Sequence, residues 1–144
     1  MSQGFLLDTN VLSELMRPTA APDVLTWFAS RAISAVYTSS ITQAEVLTGI
    51  ALLPAGQRRD ALARVAQAMF AEDFAGQILN FDSAAAEHYA LIVASRSALG
   101  RPISTEDAQI AAIALAANMT LVTRNSKDFV AINGLSQVNP WQLH

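Results

Sequence analysis

The chain contains no cysteine, a single lysine (Lys127) and two histidines (His88 and His144), and these scarcities narrow its chemistry before any motif is considered. Without cysteine there is neither disulfide nor thiolate-bound metal, and two histidines are too few for a histidine-built zinc site, so any metal must be held by oxygen. Charge is thin as well: 12 acids against 9 bases leave a formal net charge of −3, and charged residues make up 15% of the chain. That balance excludes a broad positive field for holding nucleic acid, although local arginine contacts with phosphate remain open. Arg17, Arg96, Arg101, Arg124 and Lys127 are the candidates. No uninterrupted apolar run approaches the roughly 18 to 20 residues of a membrane span. Met1-Ser2-Gln3-Gly4 has no basic or signal-like character, so a cytoplasmic protein without membrane association is expected.

What is abundant is apolar surface. Hydrophobic residues make up 52% of 144 positions, with a mean hydropathy of +0.31. A chain of this length fits one domain, residues 1–144, that removes about two-thirds of its unfolded surface from water. The apolar surplus on so small a domain points to an interface, and a homodimer is expected.

The order of elements follows from pattern. Gly4-Phe5-Leu6-Leu7 is a short apolar run without alternation, which suits a central strand covered on both faces. It runs straight into Asp8-Thr9-Asn10, with Asn10 expected to cap a helix over 11–16, and Pro22 opens the next helix, to about Ser30. A second strand is expected at 35–38. The helix after it, 41–53, has Val46, Leu47, Ile50 and Ala51 on one side and Glu45 on the other. Residues 57–75 form another helix closed by Gly76. A strand at 78–81 follows, then a helix over 83–98 capped by Asp82 and stopped by Gly100-Arg101-Pro102. The helix over 105–117 is apolar almost all round and therefore buried. A fourth strand at 120–123, a helical turn at 126–129 and a short strand near 137–138 complete the chain. Trp27, Phe28, Tyr89 and Trp141 are assigned to the core first, with an interface as the alternative.

Strands alternating with helices give a three-layer α/β/α architecture with a short-stranded, mostly parallel central sheet. Right-handed crossovers bring the strands' carboxyl ends to one edge, and with them Asp8, Glu45, Asp107, Asn125 and Asp128. Each acid also has a purely structural reading. Thr42-x-x-Glu45 and Ser104-x-x-Asp107 both fit capping boxes, and Asp8 alone fits a turn. Capping does not, however, require acids at successive positions along one sheet edge. Nor does it account for Asp107 at the mouth of an otherwise apolar helix, where an unpaired carboxylate is costly. Clustered carboxylates repel one another unless a cation intervenes. Oxygen-only ligation fits Mg²⁺ or Mn²⁺, and such sites serve phosphodiester hydrolysis, with Arg124 or Lys127 placed to offset phosphate charge.

Four motifs stand in order along nearly the whole chain: Leu7-Asp8-Thr9-Asn10-Val11-Leu12, Ala44-Glu45-Val46 with Gly49, Asp107-Ala108-Gln109-Ile110-Ala111-Ala112, and Thr123-Arg124-Asn125-x-x-Asp128-Phe129. Together they resemble the PIN-domain ribonucleases, specifically the VapC and FitB type of bacterial toxin. The resemblance implies a Mg²⁺- or Mn²⁺-dependent endoribonuclease acting on RNA, with Asp8, Glu45 and Asp107 as the acidic triad. Many PIN domains carry an acid where Asn125 stands, so Asp128 or Asn125 completes the metal and catalytic set. Thr9, Asn10 and Thr123 match supporting positions. It also implies 5′-phosphate and 3′-hydroxyl products, a homodimer, and a small cognate antitoxin that blocks the crevice with a peptide. A non-catalytic interaction module on the same fold is the rival reading. A phosphoryl-transfer receiver is disfavoured by Asp-Thr-Asn after the first strand and by Lys127 lying four residues beyond Thr123.

Overall fold

A computed structural model of the chain describes residues 4–142. Five parallel strands form the sheet: β1 (Phe5–Leu7), β2 (Val36–Ser39), β3 (Ile78–Leu79), β4 (Thr120–Val122) and β5 (Gln137–Val138). Their order is β3-β2-β1-β4-β5. The helices are α1 (Thr9–Leu15), α2 (Pro22–Ala29), α3 (Ser40–Ala51), α4 (Gln57–Ala68, prolonged by a π turn at Met69–Asp73), α5 (Ser83–Ala98) and α6 (Thr105–Ala116). None is long and apolar enough to cross a membrane among the described residues.

The unbroken apolar character of β1 has a direct cause in this topology. Side chains alternate across a strand, so Leu6 and Leu7 enter opposite layers, as do Leu121 and Val122 of β4. Leu7 and Val122 pack with Val11, Leu12, Trp27, Val46 and Phe70 beneath α1 to α4. Leu6 and Leu121 pack with Ala108, Ile110, Ile113 and Ile92 of α5 and α6. All of these are buried, and each large one contributes roughly 1.5 to 3 kcal/mol relative to exposure. The α6 prediction holds: Ala108 and Ile110 through Ala114 are buried, and Asn118 ends the helix region with φ 55°.

Two expectations about helix starts are corrected. Asp8, not Asn10, is the N-cap of α1: its backbone is extended (φ −73°, ψ 162°) and its Oδ1 accepts from the Thr9 N–H at 2.8 Å. A carboxylate at this position satisfies an orphan donor and faces the positive end of the helix. Asn10, one turn position in, is freed for other work. In α3 the cap is Ser39, whose Oγ accepts from Thr42 N at 3.1 Å. Thr42 is therefore inside the helix and buried, and the Thr42-x-x-Glu45 capping box does not form. The starting point moves because β2 runs on through Ser39, so the helix begins immediately after it. The buried stripe of α3 is Thr42, Val46 and Ile50, set by the face that packs on the sheet, while Leu47 (41% exposed) and Ala51, both expected on the apolar side, are exposed.

Candidate functional site

Strand order reverses between β1 and β4, the neighbours from which the chain departs in opposite directions, and a crevice at such a switch point is where α/β sheets place their chemistry. Asp8 follows β1 and Thr123 follows β4. The strands are held in register there by Asp8 N donating to Val122 O at 2.9 Å. Asp8 is 4% exposed, and its carboxylate is braced from several sides. Thr123 Oγ1 donates to Oδ2 at 2.8 Å and Asn10 Nδ2 donates to the same oxygen at 3.2 Å. Asn125 N in turn donates to Thr123 Oγ1 at 3.0 Å, and Arg124 N donates to Asn10 Oδ1 at 3.1 Å. Thr123, Asn10 and the 124–125 backbone thus form one support around a single carboxylate.

The other acids are positioned by neighbouring elements. Glu45, exposed on α3, accepts a 2.6 Å bond at Oε1 from the Thr9 hydroxyl, which shares a further 3.1 Å hydrogen bond with Thr42 Oγ1. Thr42 is not among the sequence candidates. Its offset of three from Glu45 is the local signal, and it points to a cap instead. Asp107 lies half-buried in the first turn of α6, where its N–H donates to Ser104 Oγ at 3.2 Å, so the capping half of that motif is real. Asp128 sits exposed on the 3₁₀ turn Ser126–Phe129, anchored by the buried Phe129.

The acids stand close enough to raise one another's pKa values. Burial pushes the Asp8 carboxyl up from 3.8 to about 6, against the lowering effect of its Thr123 and Thr9 hydrogen bonds, and the negative charges of Asp107 and Glu45 add to the rise. Asp107 is also raised, first by burial, with Ser104 opposing and Asp128, Glu45 and Glu106 adding. Glu106 is a second acid that sequence reasoning passes over; it adjoins Asp107 in the same first turn. No basic side chain comes within ion-pair distance of Asp8, Glu45, Asp107 or Asp128 among the described residues, where the ion pairs are Arg17–Glu14 and Arg59–Asp60.

These residues suit a hard divalent cation in donor chemistry and charge, since the donors are all oxygen and their mutual repulsion is what a cation relieves. Among the described residues no three acidic or histidine side chains close into a ready-made cage. Mg²⁺ takes only one or two carboxylates directly and keeps waters for the rest, so the remaining acids would hold such an ion through those waters.

The basic candidates fare differently. Arg124 is exposed, with its guanidinium 4.8 Å over the Trp141 ring, and its carbonyl accepts from Asn139 Nδ2 at 3.3 Å. Trp141 and Asn139 therefore belong to the rim of the site, a role that nothing local in their sequence signals. Lys127 and Arg101 are exposed. Arg17 is engaged by Glu14 at 3.0 Å. Arg96, expected among the phosphate-binding candidates, is instead 5% exposed and bonded to backbone carbonyls, which removes it from that set.

Beside Thr9 and Glu45 opens a groove of about 630 Å³ between α1, α3 and α4. Met16, Val46, Ile50 and Leu62 give it an apolar lining, and Arg17 and Arg58 also line it.

Comparison with known proteins identifies the family. The PIN domain family model matches residues 5–135. The chain is 42% identical over 137 residues to the plasmid stability protein StbB of Pseudomonas syringae pv. tomato, covering 95% of this chain and 98% of that one. It is 37% identical to VapC ribonuclease Y4jK of Sinorhizobium fredii, over 95% and 97% of the two chains. A solved structure of FitAB bound to an IR36 DNA fragment superimposes with a TM-score of 0.89 at 38% identity, covering 97% of each chain. With its acids gathered at the β1/β4 switch point of a five-stranded parallel sheet and these relatives matched over nearly their full length, the chain belongs to the PIN-domain family, in its VapC and FitB branch.

Proposed function

We propose that the protein is a Mg²⁺- or Mn²⁺-dependent endoribonuclease, the toxin of a toxin–antitoxin pair, in which Asp8, Glu45, Asp107 and Asp128 hold the metal. The observation that carries this reading is a buried, doubly braced Asp8 facing the charges of Asp107 and Glu45, with Asp128 in turn acting on Asp107 and no basic side chain within ion-pair distance of the four among the described residues. The kinship with a VapC ribonuclease supports the reaction class.

A divalent cation bound there supplies an activated water and charge neutralisation on the phosphate. The chain's own residues do the positioning. Thr123 and Asn10 fix the Asp8 carboxylate, Thr9 fixes Glu45, and Ser104 fixes the start of α6 beneath Asp107. Arg124, held over Trp141, and Lys127 contact RNA phosphates beside the acids, while Asn125 supports Thr123. Residues 1–144 act as one nuclease domain in the cytoplasm, as a homodimer. The apolar groove along α1, α3 and α4 receives a peptide of the cognate antitoxin, with Arg17 and Arg58 at its edge; the structurally similar FitAB complex supports a two-component assembly.

The test is purified protein, stripped of partner, incubated with single-stranded and structured RNA in Mg²⁺, Mn²⁺ or EDTA. Cleavage is expected with either metal, none in EDTA, and none for Asp8→Asn or Asp107→Asn. Equal cleavage by the variants, or by wild type in EDTA, overturns the assignment.

A further inference from the structure

Arg96 stands on the last turn of α5, 5% exposed, and no carboxylate lies within ion-pair distance of it among the described residues. Its guanidinium is satisfied by main-chain oxygens instead. Nε donates to Arg101 O at 2.7 Å, and Nη1 donates to Asp128 O at 2.9 Å and Val130 O at 3.2 Å. The end of α5 does not need this side chain. Gly100 N already donates to Ser97 O, and Arg101 N donates to Arg96 O at 2.9 Å.

The accepting carbonyls belong to two segments that meet nowhere in sequence. Arg101 lies in the loop that leads into α6, whose first turn carries Asp107. Asp128 and Val130 lie at the turn after β4, which has no side-chain cap at its start. We infer that Arg96 is a positioning residue of the acid site: its fork ties the loop that launches α6 to the turn bearing Asp128, and so sets how far apart Asp107 and Asp128 stand. A planar guanidinium suits this task because its donors diverge at fixed angles. A lysine, with one compact charged head, cannot hold both segments in the same way. Phe129 buries the turn in the core and Gln137 Nε2 donates to Ser126 O at 3.2 Å at its start, while Arg96 is the side chain that bonds the Asp128 carbonyl itself and links it to the loop before α6.

The inference rests on the divalent-cation site proposed above, and its test reads metal binding rather than cleavage. Mn²⁺ is titrated calorimetrically into the full chain, freed of partner, for wild type, Arg96→Lys, Arg96→Gln, Asp128→Asn and the double variant Arg96→Lys/Asp128→Asn. Val24→Ala, a buried α2 position in the core layer on the other face of the sheet, serves as a variant of lowered stability with the clamp intact. Arg96→Lys and Arg96→Gln are expected to weaken Mn²⁺ binding about tenfold, the scale on which groups that orient metal ligands act. In the Asp128→Asn background the Arg96→Lys change is expected to add less than about twofold, because the acid it positions is gone. Val24→Ala should melt earlier with unchanged Mn²⁺ affinity. Arg96 variants that bind Mn²⁺ like wild type, or whose loss adds in full to that of Asp128→Asn, overturn the positioning role alone. A wild type that binds no Mn²⁺ overturns the cation site and this inference together.

Discussion

At Asp8, stability and chemistry pull in opposite directions. Its carboxyl is raised from 3.8 to about 6, so between those values the folded chain keeps a proton that the unfolded chain has released. The stability linked to that proton is present at low pH and lost as pH rises through about 6. A rise of that size at a buried group corresponds to about 3 kcal/mol. Asp8→Asn should therefore stabilise the metal-free protein at pH 8, by about 1 to 3 kcal/mol, since the new amide fits the Thr123 hydroxyl less well than a carboxylate does. The gain should vanish near pH 4. Urea melts in EDTA at both pH values check it, and an Asp8→Asn variant less stable than wild type at pH 8 would sink the idea. The same raised carboxyl would compete with a metal for its oxygens: a cation bound at Asp8 must displace the proton, so at Mg²⁺ below saturation RNA cleavage should fall as pH drops below about 6. A cleavage rate flat from pH 8 down to pH 5 contradicts this.

Among the elements, α3 separates a capping hydroxyl from a site hydroxyl three residues later. Ser39 caps and Thr42 supports Thr9 and Glu45. Ser39→Ala should cost about 0.5 to 2 kcal/mol in thermal or urea unfolding. Thr42→Val keeps the shape but removes the oxygen that Thr9 bonds, so it should reduce RNA cleavage more than it reduces stability. Were Thr42 the true cap, the stability losses would be reversed between the two variants. The pair is informative because both side chains are fully buried, so exposure cannot distinguish them.

For the whole molecule, a cation bound at the proposed acid site would be a folding ligand as well as a cofactor. A ligand bound only by the native state stabilises by mass action, so Mg²⁺ at about 100 times its dissociation constant should add about 2.7 kcal/mol. Thermal melts should show a rise in Tm with Mg²⁺ for wild type and little for Asp8→Asn; equal shifts would mean that the ion binds elsewhere. Exposed apolar side chains such as Leu52, Leu91 and Leu99 remain on this small surface. Light scattering is expected to report twice the 15.4 kDa chain mass, and a single-chain mass at micromolar concentration would remove the dimer.

Much of this is legible in the residues themselves. The apolar β1 and the all-round apolar α6 announce strands and helices covered on both sides, because periodicity records how many faces are buried. Pro22, Asp82, Ser104, Gly76 and Gly100 mark element ends through backbone preferences that act locally. Asp8, Glu45 and Asp107 stand out because acids after β1, after β2 and at the mouth of the apolar α6 exceed what capping requires. What only the tertiary structure decided is who touches whom across the sheet. The Thr123 bond to Asp8, the Thr9 bond to Glu45, Trp141 under Arg124 and the Arg96 clamp join residues far apart in sequence, and no local preference encodes such a pairing. Even the role of Asn10 is set in this way: besides its neighbour Asp8 it bonds Arg124 N, a partner that arrives only once β4 lies beside β1, and the cap of α1 falls to Asp8.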